Sequence, residues 1–394
     1  MTTGPPDREA PDFLIAHGGP FYELQRRLGL LRERAFRAGR RALLAVGLAW
    51  GVPLLLALLA GTAWGAAPQR PFLLDLGVWA RFFVAVGVLI LSERLVEDRL
   101  RSVQAQFLRA PLLPPEARAD ASAVALRALR RRDSRLAEIA ILALAFVLPM
   151  VGASLKLEAD PSLWLAWTDA GGGRHLSVAG WWCLLVSAPL FWFLTLRWLW
   201  RHLVWALLLR DVARLKLRLV ATHPDGYGGL AFVGEYPNAF AAFVFAMTCV
   251  VAAETLQALL HGKLAATAFP SAMGVWVVVI VLLFAFPLGA FSGPLKRLKL
   301  ETLHAMGAAS TRQEREHERK LLGTNVAAPG EAEEQLPGGD PSKAYAQVRK
   351  LGTLPVTKAA LLPLGIAAVL PLLAVGATQL PFRELLKAAK LLLL

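Results

Sequence analysis

The chain has 394 residues, 56% of them hydrophobic and 18% charged, with 43 Lys and Arg against 29 Asp and Glu and a net charge of +14. A soluble domain carries about a quarter of its residues as charges. Here the apolar residues gather into runs of ~20, the thickness of a bilayer core, which excludes a soluble globular protein. The basic excess flanks those runs, so it reads as orientation in a membrane and contact with anionic lipid rather than as a nucleic-acid surface.

In chain order, residues 1–41 are a basic segment carrying Arg26, Arg27, Arg32, Arg34, Arg37, Arg40 and Arg41. They exceed the charged start of a cleavable leader, so the first apolar run is expected to be a retained anchor. Spans are expected at 42–63 and 72–91, at 136–155 and 178–197, at 239–260 and 271–292, and at 359–378. Only helices fit them, because lipid satisfies no open backbone groups and no period-two pattern is present. The connections 92–135, 198–238 and 293–358 are rich in Lys and Arg, eleven of them in the last. The alternate connections carry Arg70, then Lys156 and Arg174, then Lys263. By the positive-inside tendency the N-terminus and the basic connections lie in the cytoplasm. The seventh span fits less cleanly. Pro363 and Pro371 suit a re-entrant segment, and 379–394 reads as a short amphipathic tail with Arg383, Lys387 and Lys390. The expected fold class is all-α, a polytopic helical membrane bundle with cytosolic helical extensions. The Ala-, Leu- and Arg-rich composition suggests a bacterial inner membrane. Cys183 and Cys249 both fall inside apolar runs, so no disulfide framework is implied.

Within 92–135, Val96, Leu100, Val103 and Phe107 are spaced 4, 3, 4, as are Ala117, Ala121, Val124 and Ala128. Pro111, Pro114 and Pro115 break the helix between them. This predicts an antiparallel cytosolic hairpin, the two seams packed on each other, and a surface for a cytosolic protein partner. Residues 322–342 lack periodicity and read as a linker.

Charges inside spans come next: Asp75 and Arg81 in the second, Glu138 in the third, Glu254 in the fifth. Counting inward from the outer end at Phe72 puts Arg81 ~13 Å deep, and counting from the inner end at Ala239 puts Glu254 ~22 Å up, within a long side chain's reach of Arg81's depth. A central Arg costs ~2.5–3.5 kcal/mol unless it meets a partner or water. An Arg81–Glu254 pair with Asp75 and Gln257 nearby is therefore expected, either as part of an ion or proton pathway or as a structural pair fixing helix register.

The polar stretch Thr222-His223-Pro224-Asp225-Gly226-Tyr227-Gly228-Gly229-Leu230 stands between apolar segments. Pro224 bars helix before it, the glycines admit positive φ, and Asp225 suits an Asx turn. It reads as a chain reversal or as a ligand loop, with His223, Asp225, Gly228 and Gly229 as the binding candidates and a backbone anion nest as the means. It is no P-loop, since no Gly-Lys-Ser/Thr follows. The string resembles a His-Pro-Asp-x-x-Gly-Gly-Leu signature of bacterial multi-span membrane proteins. The match covers about a dozen residues and general layout, and implies no activity.

The fourth span has Trp181 and Trp182 at one end and Trp192, Trp198, Trp200 and Trp205 at the other, suiting two interfacial belts. Arg197 and Arg201 beside the second belt are expected to meet lipid headgroups. Residues 214–220 alternate like a strand but could also continue the helix. Gly47 and Gly51 offer a close-packing face. Pro53, Pro149, Pro189 and Pro287 should kink four spans. The pairs Glu301/His304 and Glu314/His317 face different ways on one charged helix, so no metal centre is expected. Nor is any nucleophile–base set or cofactor. The leading expectation is a channel or transporter-like protein for an ion or small solute, with a homo-oligomer open. The alternative is a membrane-anchored interaction or signalling scaffold acting through 92–135.

Overall fold

The computed structural model describes residues 23, 38–64, 71–159, 164–169, 171, 173–260, 262, 264–329, 341–356 and 358–378. The fold is all-α. Among the described residues, six helices are long and apolar enough to cross a membrane: α1 (Ala38–Leu59), α2 (Leu76–Phe107), α3 (Pro115–Ser154), α4 (Val178–Ala213), α5 (Ala231–Leu260) and α6 (Phe269–Leu322). Two shorter helices follow, α7 (Pro341–Arg349) and α8 (Lys358–Gly376). The seventh expected span, 359–378, is thus a helix packed on α5, but its apolar part, Leu361–Gly376, falls short of the other six. The expected tail 379–394 and most of the linker and basic N-terminal segment lie outside the described residues. One small antiparallel hairpin, β1 (Ala166–Thr168) with β2 (Arg174–Leu176), joins α3 to α4.

α4 is the axis of the bundle. Trp198, Val204, Trp205 and Leu209 on it are at most 2% exposed, and α1, α2, α3 and α6 all pack against it. Outward faces are apolar: Leu136, Ile139 and Leu142 of α3 and Val275, Val278 and Leu282 of α6 are exposed in the protein alone, as lipid-facing residues are.

Several helices leave the regular ladder inside the apolar region. π-helical turns occupy Gly47–Gly51, Trp79–Ala85 and Cys183–Ser187, and the first packs on the other two. Two of them end just before Pro53 and Pro189. A proline offers no N–H to the carbonyl four residues back, so the preceding turn widens. Pro287 instead lies in a 3-10 stretch, Phe286–Phe291, and Pro149 sits in an unbroken α-helical run. Of four expected kinks, three coincide with altered turns.

Lipid cannot satisfy the carbonyls so released, and neighbouring helices supply donors. Trp182 Nε1 donates to Leu48 O at 3.0 Å and Tyr236 Oη to Phe284 O, while Leu89 O, just before an interruption of the helix at Ser92, accepts from Trp198 Nε1 at 3.1 Å and from Ser92 Oγ at 3.3 Å. His202 Nε2 lies 3.1 Å from Leu283 O, the carbonyl Pro287 leaves without a partner. This corrects the belt reading of α4. Trp181 is exposed, whereas Trp198 and Trp205 are buried, and Trp182 and Trp198 are spent on backbone gaps.

Outside the bundle the chain builds a collar from the extensions of α2, α3 and α6, the segment 214–230, α7 and 351–356. The expected seams exist, with Val96, Leu100, Phe107, Val124 and Ala128 all buried. Their partners differ from expectation. The α2 extension packs on 231–240, where Phe107 meets Phe232 edge-on at 4.8 Å and Arg99 Nη1 donates to Asn238 O at 2.8 Å. The α3 extension packs on α4, where Arg131 pairs with Asp211 at 2.8 Å. The two extensions barely touch each other. Residues 215–220 form neither strand nor helix.

Candidate functional site: three polar assemblies

The far assembly, remote from the collar, joins the start of α2 to the end of α5. Asp75 caps α2, its Oδ1 accepting from the N–H groups of Gly77 at 2.9 Å and Val78 at 3.3 Å. Gln257 Nε2 donates to the same oxygen at 2.9 Å, and Trp164 Nε1 to Oδ2 at 3.2 Å. Arg81 Nη2 meets Glu254 Oε1 at 2.8 Å, and Arg81 Nε donates to Gly77 O at 3.0 Å. Gly77 is the floor: a Cβ there would stand 2.6 Å from Arg81 Nη2, 3.1 Å from Asp75 Oδ1 and 3.2 Å from Glu254 Oε1. The four residues singled out from sequence are thus one cluster. Its depth is shallower than the residue count suggested. α2 begins at Leu76, so Arg81 lies roughly 8 Å along it, and Glu254 roughly 9 Å from the end of α5. Arg81 and Glu254 are 25% and 39% exposed, so the pair lies at a surface and is not sealed in the core.

The near assembly, at the collar end, was not foreseen. Glu93 of α2 is gripped by Arg41 of α1 at 2.8 Å and Arg201 of α4 at 3.1 Å, all three side chains only 5–6% exposed. The Arg201 guanidinium also lies 5.2 Å from the Trp198 ring centroid. Arg197 is buried one turn away, within the field of Glu93 and Glu138. Arg197 and Arg201 therefore point into the protein, which corrects their expected place at lipid headgroups. A buried ionised group is costly unless paired, and Glu93 supplies that pairing for Arg201. Sequence reading counted Glu93 among wet residues just past a span. The available signal was its helical spacing of seven from Val86 and its neighbourhood of Leu89, Ile90 and Val96, which puts it on the buried face.

The third assembly is the loop at 222–230. Asp225 Oδ1 accepts from the N–H groups of Tyr227 at 2.8 Å and Gly229 at 3.1 Å, and Oδ2 from that of Ala231 at 3.0 Å. His223 Nδ1 lies 2.8 Å from Oδ1. Burial works to raise the Asp225 pKa. The three backbone donors and His223 outweigh it and hold the carboxyl below the usual carboxylate range. Gly228 and Gly229 adopt φ +67° and +95°, the left-handed region that glycine admits. The backbone N–H groups of this loop converge on its own carboxylate, so the nest is filled from within. The loop is a socket: Gly352 N–H donates to Gly226 O at 2.9 Å, Tyr227 Oη to Val356 O at 3.0 Å, and Gln347 Nε2 to Thr222 O at 2.9 Å. Leu112, from the turn between α2 and α3, would stand 3.3 Å from a Cβ at Gly229, and Leu295 of α6 3.2 Å from one at Gly228.

Among the described residues, no group of three or more His, Cys, Asp or Glu gathers as metal ligands. Glu301, His304, Glu314 and His317 lie exposed along the α6 extension. A cavity of about 590 Å³ between that extension and α7 is lined by Gly307, Thr311, Glu314 and Tyr345 among others. No protein-family model, no curated protein and no solved structure matches the chain.

Proposed function

We propose that the protein resides in a bacterial inner membrane, N-terminus and collar in the cytoplasm, and passes an ion or small solute across the bilayer along α2. The observation that supports this most is that α2 alone carries both ionic assemblies. Arg81 and Glu93 are twelve residues and roughly 18 Å apart along one helix, more than half of a ~30 Å hydrocarbon core. Each is closed by residues of different helices: α5 at the far end, α1 and α4 at the near end. Ionised side chains in apolar spans are expensive to keep and mark pathways more often than ordinary packing sites. The three π-helical turns add to the reading, since such turns recur at functional sites. The scaffold reading loses support because both seams of the 92–135 region are covered by the chain itself. Anionic lipid remains a proposed partner, met by exposed Arg130 and Arg135 rather than by Arg197 and Arg201.

The test is flux through purified protein in liposomes, read with separate H⁺, K⁺, Na⁺ and Cl⁻ indicators against protein-free vesicles. Flux of one species should fall at least about tenfold in Arg81→Ala and Glu254→Gln, and return in part in the double reversal Arg81→Glu with Glu254→Arg. Flux indifferent to all three variants would remove the far assembly from the route, and absence of flux for the whole panel would refute passage of these ions.

A further inference from the structure

The near assembly holds more hydrogen-bond donors than the chain accepts. Arg41 and Arg201 are buried, and among the described residues each guanidinium is bonded to Glu93 alone, Arg41 Nη1 to Oε2 and Arg201 Nη1 to Oε1. A guanidinium carries five N–H groups in a fixed fork, so most of these donors meet no acceptor of the protein. Buried donors seek one. Both forks are held in place. Arg41 comes from α1 and Arg201 from α4, on either side of Glu93 in α2. The Trp198 ring lies 5.2 Å from the Arg201 guanidinium and is itself fixed by its bond to Leu89 O. Arg94, next to Glu93, is 70% exposed, so the assembly lies at the wet end of its span.

Water would satisfy the donors but not the charge. A guanidinium stays ionised in a protein, so Arg41 and Arg201 put two positive charges on the one carboxylate they share. Arg197, buried one turn from Arg201, adds a third to the same field, and Glu138 of α3 a second carboxylate. Glu97, one turn along α2, is buried with bonds of its own, none of them to Arg41 or Arg201. The two forks thus keep positive charge in excess among apolar helices, where it is costly without a counter-ion. The far assembly has the opposite balance. Its single guanidinium meets Glu254 and the Gly77 carbonyl, and Asp75 brings a second carboxylate.

We infer that the near assembly binds a small monovalent anion, chloride or one of similar size, at the N–H groups of Arg41 and Arg201 that Glu93 does not take. Arg197 adds to the attraction. Glu93 is the built-in competitor: its carboxylate occupies part of both forks and repels a second anion beside it. Passage of the anion rests on the route proposed along α2; its binding does not.

The test uses the full chain in nanodiscs of zwitterionic lipid. Melting temperature is compared in sodium chloride and sodium gluconate at equal ionic strength, and affinity is read from the chloride NMR linewidth with bromide as competitor. Chloride should raise the melting temperature of the parent by about 2–4 °C and broaden its line saturably. Arg41→Gln and Arg201→Gln should each weaken binding at least about tenfold. Glu93→Gln keeps every guanidinium and removes the competing charge, so it should tighten binding by about the same factor. Arg130→Gln, exposed on α3, is the control for loose surface binding and should behave as the parent does. Equal melting in the two salts, broadening that persists in both arginine variants, or weaker binding in Glu93→Gln would each overturn the site. Saturable binding without chloride flux in liposomes would uphold the site and fail only its passage along α2. Should an arginine variant not fold, the near-isosteric Glu93→Gln and the salt dependence of the parent decide.

Discussion

Asp225 shows how far one carboxylate can organise a loop. Its backbone bonds need the ionised form, which keeps its folded-state pKa below the unfolded value of about 3.9. The sign of the linkage follows. The stabilisation is fully present above that unfolded value and is lost as pH falls through the lower folded one. Asp225→Asn keeps one acceptor oxygen and puts an N–H₂ among donors, so it should cost about 1–3 kcal/mol. It should also flatten the acid limb of a melting-temperature curve measured between pH 6 and 3. An acid limb as steep as that of the parent would mean that other carboxylates govern acid stability. Gly77 makes the complementary case, where the missing atom matters. Gly77→Ala brings a methyl against three charged side chains, of which the Arg81 guanidinium is the most easily moved. The Arg81–Glu254 pair should separate while the fold survives, at a cost on the order of 1 kcal/mol. Gly87→Ala, whose Cβ would meet only Val46 Cγ2 at 3.6 Å, is the control and should melt as the parent does.

At the scale of elements, what was legible was whatever depends on local composition. The long apolar runs became helices because no other backbone survives in lipid, and the buried seams of α2 and α3 follow from a spacing of 4, 3, 4. What each seam packs on is a tertiary choice with no local signal, and there the expected hairpin gave way to α2 on 231–240 and α3 on α4. The tryptophans of α4 misled for a related reason. Composition places indoles at interfaces, but a released carbonyl in an apolar bundle is a stronger demand, and Trp182 and Trp198 answer it. The Arg81–Glu254 pair was readable because both charges stand alone in apolar runs. Glu93 was not, because charged neighbours at 94, 97, 98 and 99 disguise it. The 3-10 stretch 231–240 yields a sharp test of element packing. A Cβ on Gly234 would overlap the Pro355 carbonyl oxygen, a backbone atom that cannot swing aside. Gly234→Ala should therefore lower the melting temperature markedly, by several degrees or more. A neutral result would mean that 351–356 does not lie against 231–240.

For the whole molecule, side-chain and backbone contacts constrain sidedness independently of charge. The turn at 110–114 bonds the segment after α4, since Arg218 N–H donates to Leu112 O at 2.8 Å. That segment in turn holds the root of the α6 extension and the strand of chain leading to α8. Parts that touch in this way cannot be separated by a bilayer, so the α2–α3 turn, the Asp225 loop and the α6 extension must share one side. The hairpin bearing His175 belongs to the other, beyond the Trp164–Asp75 contact. Single cysteines at Glu116, Thr324 and His175, all exposed, turn this into a measurement with a membrane-impermeant thiol reagent on sealed cells and on inverted vesicles. Positions 116 and 324 should label together in inverted vesicles, and 175 in sealed cells. The same side carries most of the 43 Lys and Arg, which is the charge bias that the proposed cytoplasmic placement of the collar requires. If 116 and 324 label from opposite sides, the contacts tying the α2–α3 turn through the Asp225 loop to the α6 extension do not form in the membrane, and the proposed route along α2 loses its frame.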